Sequence, residues 1–144
     1  MTFRSFSITK MLVVAVLVGG GALTLFRLTT ANDSTAGEIV MPKQISPLAQ
    51  TGKILFEENC ALCHGKDAGG TDQGPPFIHA LYNPGHHADM AFVNAAKNGV
   101  RAHHWRFGDM PAQPHLSEQE VGAITRYVRE LQEANGISYR PHQM

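Results

Sequence analysis

The most constraining feature of the chain is one Cys-x-x-Cys-His motif, formed by its only two cysteines, Cys60 and Cys63, and by His64. Two thiols at this spacing can each add to one vinyl group of haem, and the imidazole that follows can bind the iron as a fixed axial ligand. The adjacent histidine and the lack of a surrounding βαβ pattern argue against a redox dithiol, and a zinc site would need a second C-x-x-C. The motif therefore predicts one covalently attached haem c.

The sequence pattern around this motif is helical. Apolar residues recur at helical spacing over residues 47–59 and 88–98, and Pro47 suits a first helical turn. A last helix begins at the capping box Ser117-Glu118-Gln119-Glu120 and ends at Asn135-Gly136. There is no convincing strand pattern, so we predict an all-α fold.

Residues 1–28 have the character of a targeting segment. An uncharged run over residues 11–26 follows Arg4 and Lys10. A cleaved signal peptide has this form, and so does an uncleaved hydrophobic helix that anchors the protein in the membrane. Arg27 is awkward at a cleavage site and favours the anchor. Both alternatives put the following domain outside the cytoplasm, because positive charge stays inside.

The rest of the chain divides into three parts. We predict a flexible linker over residues 29–46, the haem domain over residues 47–136 and a C-terminal tail over residues 137–144. The chain has 12 basic and 12 acidic side chains, but its first 31 residues hold three basic and no acidic ones, which leaves a formal charge of −3 on the remainder. No basic patch indicates nucleic-acid binding, and the acidic part would suit a partner with positive surface charge.

A second candidate ligand, Met110, is followed by a proline and lies 46 residues after His64. A thioether is a soft ligand that favours ferrous iron and raises the haem potential. The ring of Pro111 would stiffen the approach of the loop to the iron. On spacing alone two alternatives stay open: Met110 packs in the core, as methionines commonly do, or Met90 binds in its place.

The order of these features resembles that of a known family. The residues that support this resemblance are Gly52 and Phe56 of the first helix, the Cys60–His64 motif, Gly74-Pro75-Pro76, Met110-Pro111, and Ile124 with Tyr127. Together they resemble the pattern of monohaem class I cytochromes c, over residues 47–136. The haem motif and the Met-Pro pair are the specific part of the resemblance.

The resemblance implies a class I cytochrome c fold, with three main helices around one covalently bound haem, here preceded by the N-terminal hydrophobic helix. It implies that the first and last helices cross, with Gly52 allowing a close approach. His64 and Met110 would be the two axial ligands of the haem iron. A backbone carbonyl of the Gly74–Pro76 turn, with Pro75 at its centre, would accept a hydrogen bond from His64 and so fix its ring.

Histidines are unusually frequent between this turn and Met110. They are His79, His86, His87, His103 and His104, with His115 further on. Two interpretations are open: a polar loop surface, with some rings bonded to haem propionates, or a copper or zinc site. In a third interpretation, His103 or His104 replaces Met110 as the distal ligand and gives a lower potential.

Trp105 and Arg106 directly precede the Met110 loop, and Tyr82 is a further candidate in this region. An indole N–H or a guanidinium near a haem propionate would reduce the cost of burying that carboxylate, so Trp105 is assigned to the haem site. In the alternative, Trp105 fills the core and Arg106 is solvated.

These features favour an electron carrier. With both axial positions filled the iron cannot bind substrate, and the chain has no free cysteine and no G-x-S-x-G, so we expect no enzymatic activity. Partners would be a membrane quinol-oxidising complex, a terminal oxidase or a periplasmic dehydrogenase, met through small, transient contacts on the periplasmic side of the membrane. The alternative function is copper binding by the histidine loop, or sensing of a gas or redox state at a labile distal site.

Overall fold

The computed structural model describes residues 38–141. Its α-helices are α1 (Pro47–Asn59), α2 (Ala61–His64), α3 (Asp89–Asn98) and α4 (Glu118–Ala134). Within the described residues the only ladder pairing is one isolated antiparallel bridge, between Val100 and Met110. The predicted all-α class is therefore confirmed for this part, and the three predicted helices are α1, α3 and α4.

Within residues 38–141 no helix is long and apolar enough to cross a membrane. The predicted targeting segment over residues 1–28 lies outside the described residues. The first part of the predicted linker, residues 29–37, lies outside them as well.

Side-chain caps explain why the helices begin where they do. Ser46 accepts a hydrogen bond from the Ala49 backbone N–H at the start of α1. At the start of α4, Ser117 and Glu120 satisfy each other's backbone N–H groups, so the predicted capping box is present. Each cap replaces an intrahelical partner that the first turn lacks.

The two long helices, α1 and α4, cross at a glycine. A Cβ on Gly52 would lie 1.9 Å from the backbone oxygen of Ala123, so only a residue without a side chain permits this approach. The crossing buries Phe56 against Tyr127, with ring centroids 5.7 Å apart. Leu131 and other apolar residues of α4 complete this core. Cys60 and Ala61 pack against this core, so the start of the motif that follows α1 is held by it.

Chain segments outside the helices are also held in place. Residues 38–46, which the sequence assigns to a flexible linker, run beside the end of α4. Asn135 exchanges two hydrogen bonds with the Val40 backbone, both 2.9 Å long. In the tail, the Arg140 backbone N–H donates to the side chain of Asn83. The described parts of both the linker and the tail thus contact the domain.

Candidate haem site

A largely apolar cavity of about 490 Å³ opens among α2, α3, α4 and the long loops. Its volume lies within the range of about 300–1,000 Å³ that is usual for ligand and cofactor pockets. Of the predicted site residues, the walls include Cys60, His64, Pro75, Trp105 and Met110. The structure therefore brings five of the six predicted site residues to one cavity.

His64, the last residue of α2, is buried and held on two sides. Its Nδ1 lies 3.0 Å from the Pro75 carbonyl oxygen, and its ring stacks on Phe77 with centroids 4.1 Å apart. Because a carbonyl only accepts, Nδ1 carries the proton and Nε2 keeps its lone pair for a metal. Burial lowers the pKa of His64, although the Pro75 bond opposes this, which favours the neutral, ligating form.

The two cysteines lie at the junction of α1 and α2 and are not joined by a disulfide. Cys60 lines the cavity, and burial, with a further contribution from Cys63, raises its pKa to about 11. Cys63 is half-buried and is not part of the cavity wall. It packs on Gly74, where a Cβ would lie 2.7 Å from the Cys63 backbone oxygen.

Met110 enters the cavity from the loop between α3 and α4. Its backbone is pinned to Val100 by two hydrogen bonds, of 2.9 and 3.0 Å. Gly99, with φ of 73°, makes the turn that allows this pairing. The competing methionine, Met90, lies on α3 with 61% of its surface exposed and is not part of the cavity wall. The geometry thus favours Met110 over Met90.

Trp105 lines the cavity, but its indole N–H already has a protein partner. It donates to the Tyr82 hydroxyl at 3.2 Å. Tyr82 also lines the cavity, and burial raises the pKa of its hydroxyl. The Tyr82 O–H can in turn donate to an anion in the cavity. The sequence does not reveal this pairing, because the two residues are far apart along the chain.

Three of the loop histidines converge. His86, His87 and His104 each offer a ring nitrogen, and these nitrogens lie within 4.8 Å of one another. Burial, opposed by a hydrogen bond to the Leu81 backbone, and the charges of the neighbouring histidines lower the pKa of His87. The pKa of His104 is also lowered, by its partial desolvation and by the histidines beside it. The neutral form is therefore favoured for His87 and His104.

The other histidines of the loops have different partners. His79 accepts from the Leu81 backbone N–H, His103 donates to the Arg101 carbonyl, and His115 is hydrogen-bonded to the side chain of Asn59 at the end of α1. His103 does not belong to the converging group, although its ring centroid lies 4.2 Å from that of His104.

Arg129 of α4 is a structural residue that the sequence interpretation did not single out. It is 7% exposed and donates to Asp89, to the Tyr82 carbonyl and to the His87 carbonyl. Its guanidinium also lies 5.0 Å from the centroid of the Phe92 ring. One signal in the sequence could have identified it: Arg129 follows Thr125 by one helical turn, so both lie on the same face of α4 as the apolar core residues.

These residues fit a covalently bound haem. Two cysteines precede an oriented imidazole whose neutral form is favoured, an apolar cavity of suitable size lies beside it, and the Met110 thioether lies in the cavity wall. The family model of cytochrome c matches residues 49–132. The chain belongs to the cytochrome c family. It is a monohaem c-type cytochrome, since it has a single attachment motif.

Two relatives of this cytochrome c are oxidase subunits. The cbb3-type cytochrome c oxidase subunit CcoP of Rhodobacter capsulatus is 33% identical over 87 residues, which cover 58% of the chain and 29% of that protein. The cbb3-type cytochrome c oxidase subunit FixP of Sinorhizobium medicae is 35% identical over 89 residues, covering 58% and 28%. The chain thus spans less than a third of these relatives. No solved structure gave a significant match.

Proposed function

We propose that this cytochrome c is an electron carrier whose haem iron is bound by His64 and Met110. Haem, when bound, supplies a one-electron couple. The observation that carries the proposal is the placement of both side chains on one cavity, with His64 oriented by Pro75 and Met110 pinned through Val100. Membership of the family and the likeness to oxidase subunits support haem-based electron transfer as the general role.

The protein residues would act by holding ligands and excluding water. The Pro75 carbonyl keeps the His64 ring in one tautomer, and a fixed second shell strengthens the ligand. A thioether from Met110 stabilises the ferrous state and raises the potential. The apolar cavity wall also disfavours the more highly charged, oxidised state of the haem, and this raises the potential further. With His64 and Met110 both holding the iron, no position would remain for a substrate, so we propose no enzymatic activity for the chain itself.

The partners and location follow from the same reasoning. We propose that the domain works on the periplasmic side of the cytoplasmic membrane, with residues 1–28 as an anchor or a cleaved signal. A terminal oxidase is the partner that the names of the relatives favour, and a quinol-oxidising complex or a periplasmic dehydrogenase would supply the electron. Contacts would be small and transient, as redox encounters are.

The test is a pair of methionine variants. Met110→Ala should keep haem covalently attached through Cys60 and Cys63, lower the midpoint potential and let the ferrous protein bind carbon monoxide. Met90→Ala is the matched control, since Met90 is exposed on α3, and it should behave as the wild type. A Met110→Ala protein with the wild-type spectrum and no carbon monoxide binding would refute Met110 as a ligand.

A further inference from the structure

We infer that His86, His87 and His104 form a binding site for a divalent transition metal, Cu²⁺ or Zn²⁺, beside the haem cavity. Imidazole is a preferred ligand of both ions, and the described residues contain no other cluster of three or more histidine, cysteine or carboxylate ligands at this spacing. His87 and His104 also line the cavity, so the site would adjoin the haem. The inference does not require Met110 to be the distal haem ligand, but it does require that His104 is not.

The separation of the ligand nitrogens suits such a site. Tetrahedral coordination with Zn–N bonds of 2.0–2.1 Å places two nitrogens about 3.3 Å apart. The three nitrogens here lie within 4.8 Å of one another, so the largest closure needed is about 1.5 Å. Small rotations of His104, which is exposed, and of His86 can supply this movement. Three imidazoles leave a fourth position for water, as in other three-histidine zinc sites.

A tight turn explains why two adjacent histidines reach one point. The backbone N–H groups of His86 and His87 both donate to the Asn83 carbonyl, at 3.0 and 2.9 Å. The Asn83 side chain accepts from Gly85 within the turn and from Arg140 of the tail. A Cβ on Gly85 would lie 1.7 Å from the Arg140 backbone oxygen, so the tail packs directly on the turn. The turn is therefore preorganised from both sides.

In metal-binding histidines the ring nitrogen that does not bind the metal commonly donates a hydrogen bond, and His87 has an acceptor for such a bond. Its Nδ1 lies 2.9 Å from the Leu81 carbonyl, which can only accept, so Nδ1 is protonated and Nε2 has a free lone pair. The carbonyl of His87 itself accepts from Arg129, a buried residue of α4. The ring and the backbone of this central ligand are thus both fixed before a metal arrives, which reduces the entropic cost of binding.

His103 provides a matched control for the site. It adjoins His104, with ring centroids 4.2 Å apart, and it is exposed in the same way. Its Nδ1 donates to the Arg101 carbonyl, and it is not part of the converging group. Removing His103 should therefore leave three ligands in place, whereas removing His86 or His104 should leave two.

In the experiment, ZnCl₂ is titrated into the ferric, haem-loaded full chain, prepared without a histidine tag, and binding is measured by calorimetry. We expect one ion per chain. His86→Ala and His104→Ala should each weaken binding by more than about tenfold, while His103→Ala should stay within about twofold of the wild type. Optical spectra identical to the wild type would show that each variant is folded around its haem. In parallel, Cu²⁺ should give an electron paramagnetic resonance signal with nitrogen couplings that the double variant His86→Ala/His104→Ala loses.

Two results would overturn the inference. One is the absence of saturable Zn²⁺ and Cu²⁺ binding to the haem-loaded protein, which would mean that these imidazoles serve the haem propionates or the solvent. The other is an equal loss on His103→Ala and His104→Ala, which would mean nonspecific binding to exposed histidines. Neither result bears on the ligation by His64 and Met110, which the methionine variants test.

Discussion

The crossing of α1 and α4 allows a sharp prediction about Gly52. Replacing Gly52 by Ala places a Cβ 1.9 Å from the Ala123 backbone oxygen, whereas ordinary contact begins near 3.4 Å. The helices must therefore separate by up to about 1.5 Å, because neither atom belongs to a flexible side chain. Overpacking of this kind costs about 1–3 kcal/mol or more, and the higher helix propensity of alanine returns about 1 kcal/mol.

Because a separation of 1.9 Å is a severe overlap, we expect the upper end of the difference, a loss of up to about 2 kcal/mol in the free energy of unfolding of Gly52→Ala. Gly122→Ala is the control, because Gly122 lies within α4 and a Cβ there meets nothing within 4 Å. That variant should raise the stability by about 0.5–1 kcal/mol. Urea unfolding of both haem-loaded variants, followed by circular dichroism, measures the difference. Equal, positive effects of the two substitutions would refute the close crossing.

Two further predictions concern buried charges on α4. Burial alone would raise the pKa of Glu130, but hydrogen bonds from Ser46 and Arg126 outweigh burial and lower that pKa. Ionised Glu130 therefore stabilises the folded state above about pH 4.5, and this contribution is lost as the pH falls. Glu130→Gln should therefore lower the free energy of unfolding at pH 7 but not near pH 3, and a pH-independent difference would contradict this. Arg129→Met should cost about 1–3 kcal/mol in urea unfolding, because the His87 carbonyl loses its donor. Arg129→Lys should lose nearly as much, since one ammonium cannot replace the guanidinium, and a neutral effect of both variants would contradict the network.

The helices were predictable because their limits are set by local chemistry. The capping box at Ser117 and Glu120 and the glycine after α3 are signals within a few residues of the ends that they define. The haem motif is local as well, since covalent attachment fixes its spacing in the sequence. The hydrogen bond between His64 and the Gly74–Pro76 turn was implied by the family resemblance and is present at Pro75.

The remaining parts depend on contacts between distant residues. The convergence of His86 with His104 depends on a turn built by Asn83, and Asn83 is in turn bound by Arg140 of the tail. The pairing of Trp105 with Tyr82 joins residues 23 positions apart. Periodicity and composition do not predict such contacts between distant residues, because the same loop sequence can adopt many turns. A resemblance to a family cannot supply them either where the chain departs from its pattern.

The optical spectrum of the purified wild-type protein tests the central claim most directly. It would be recorded in both oxidation states, with carbon monoxide added to the reduced form. A closed site formed by His64 and Met110 predicts a far-red methionine–iron band in the ferric state and no carbon monoxide binding. Absence of that band together with ready carbon monoxide binding would contradict the account and would place the protein among haem proteins with an open or labile sixth position.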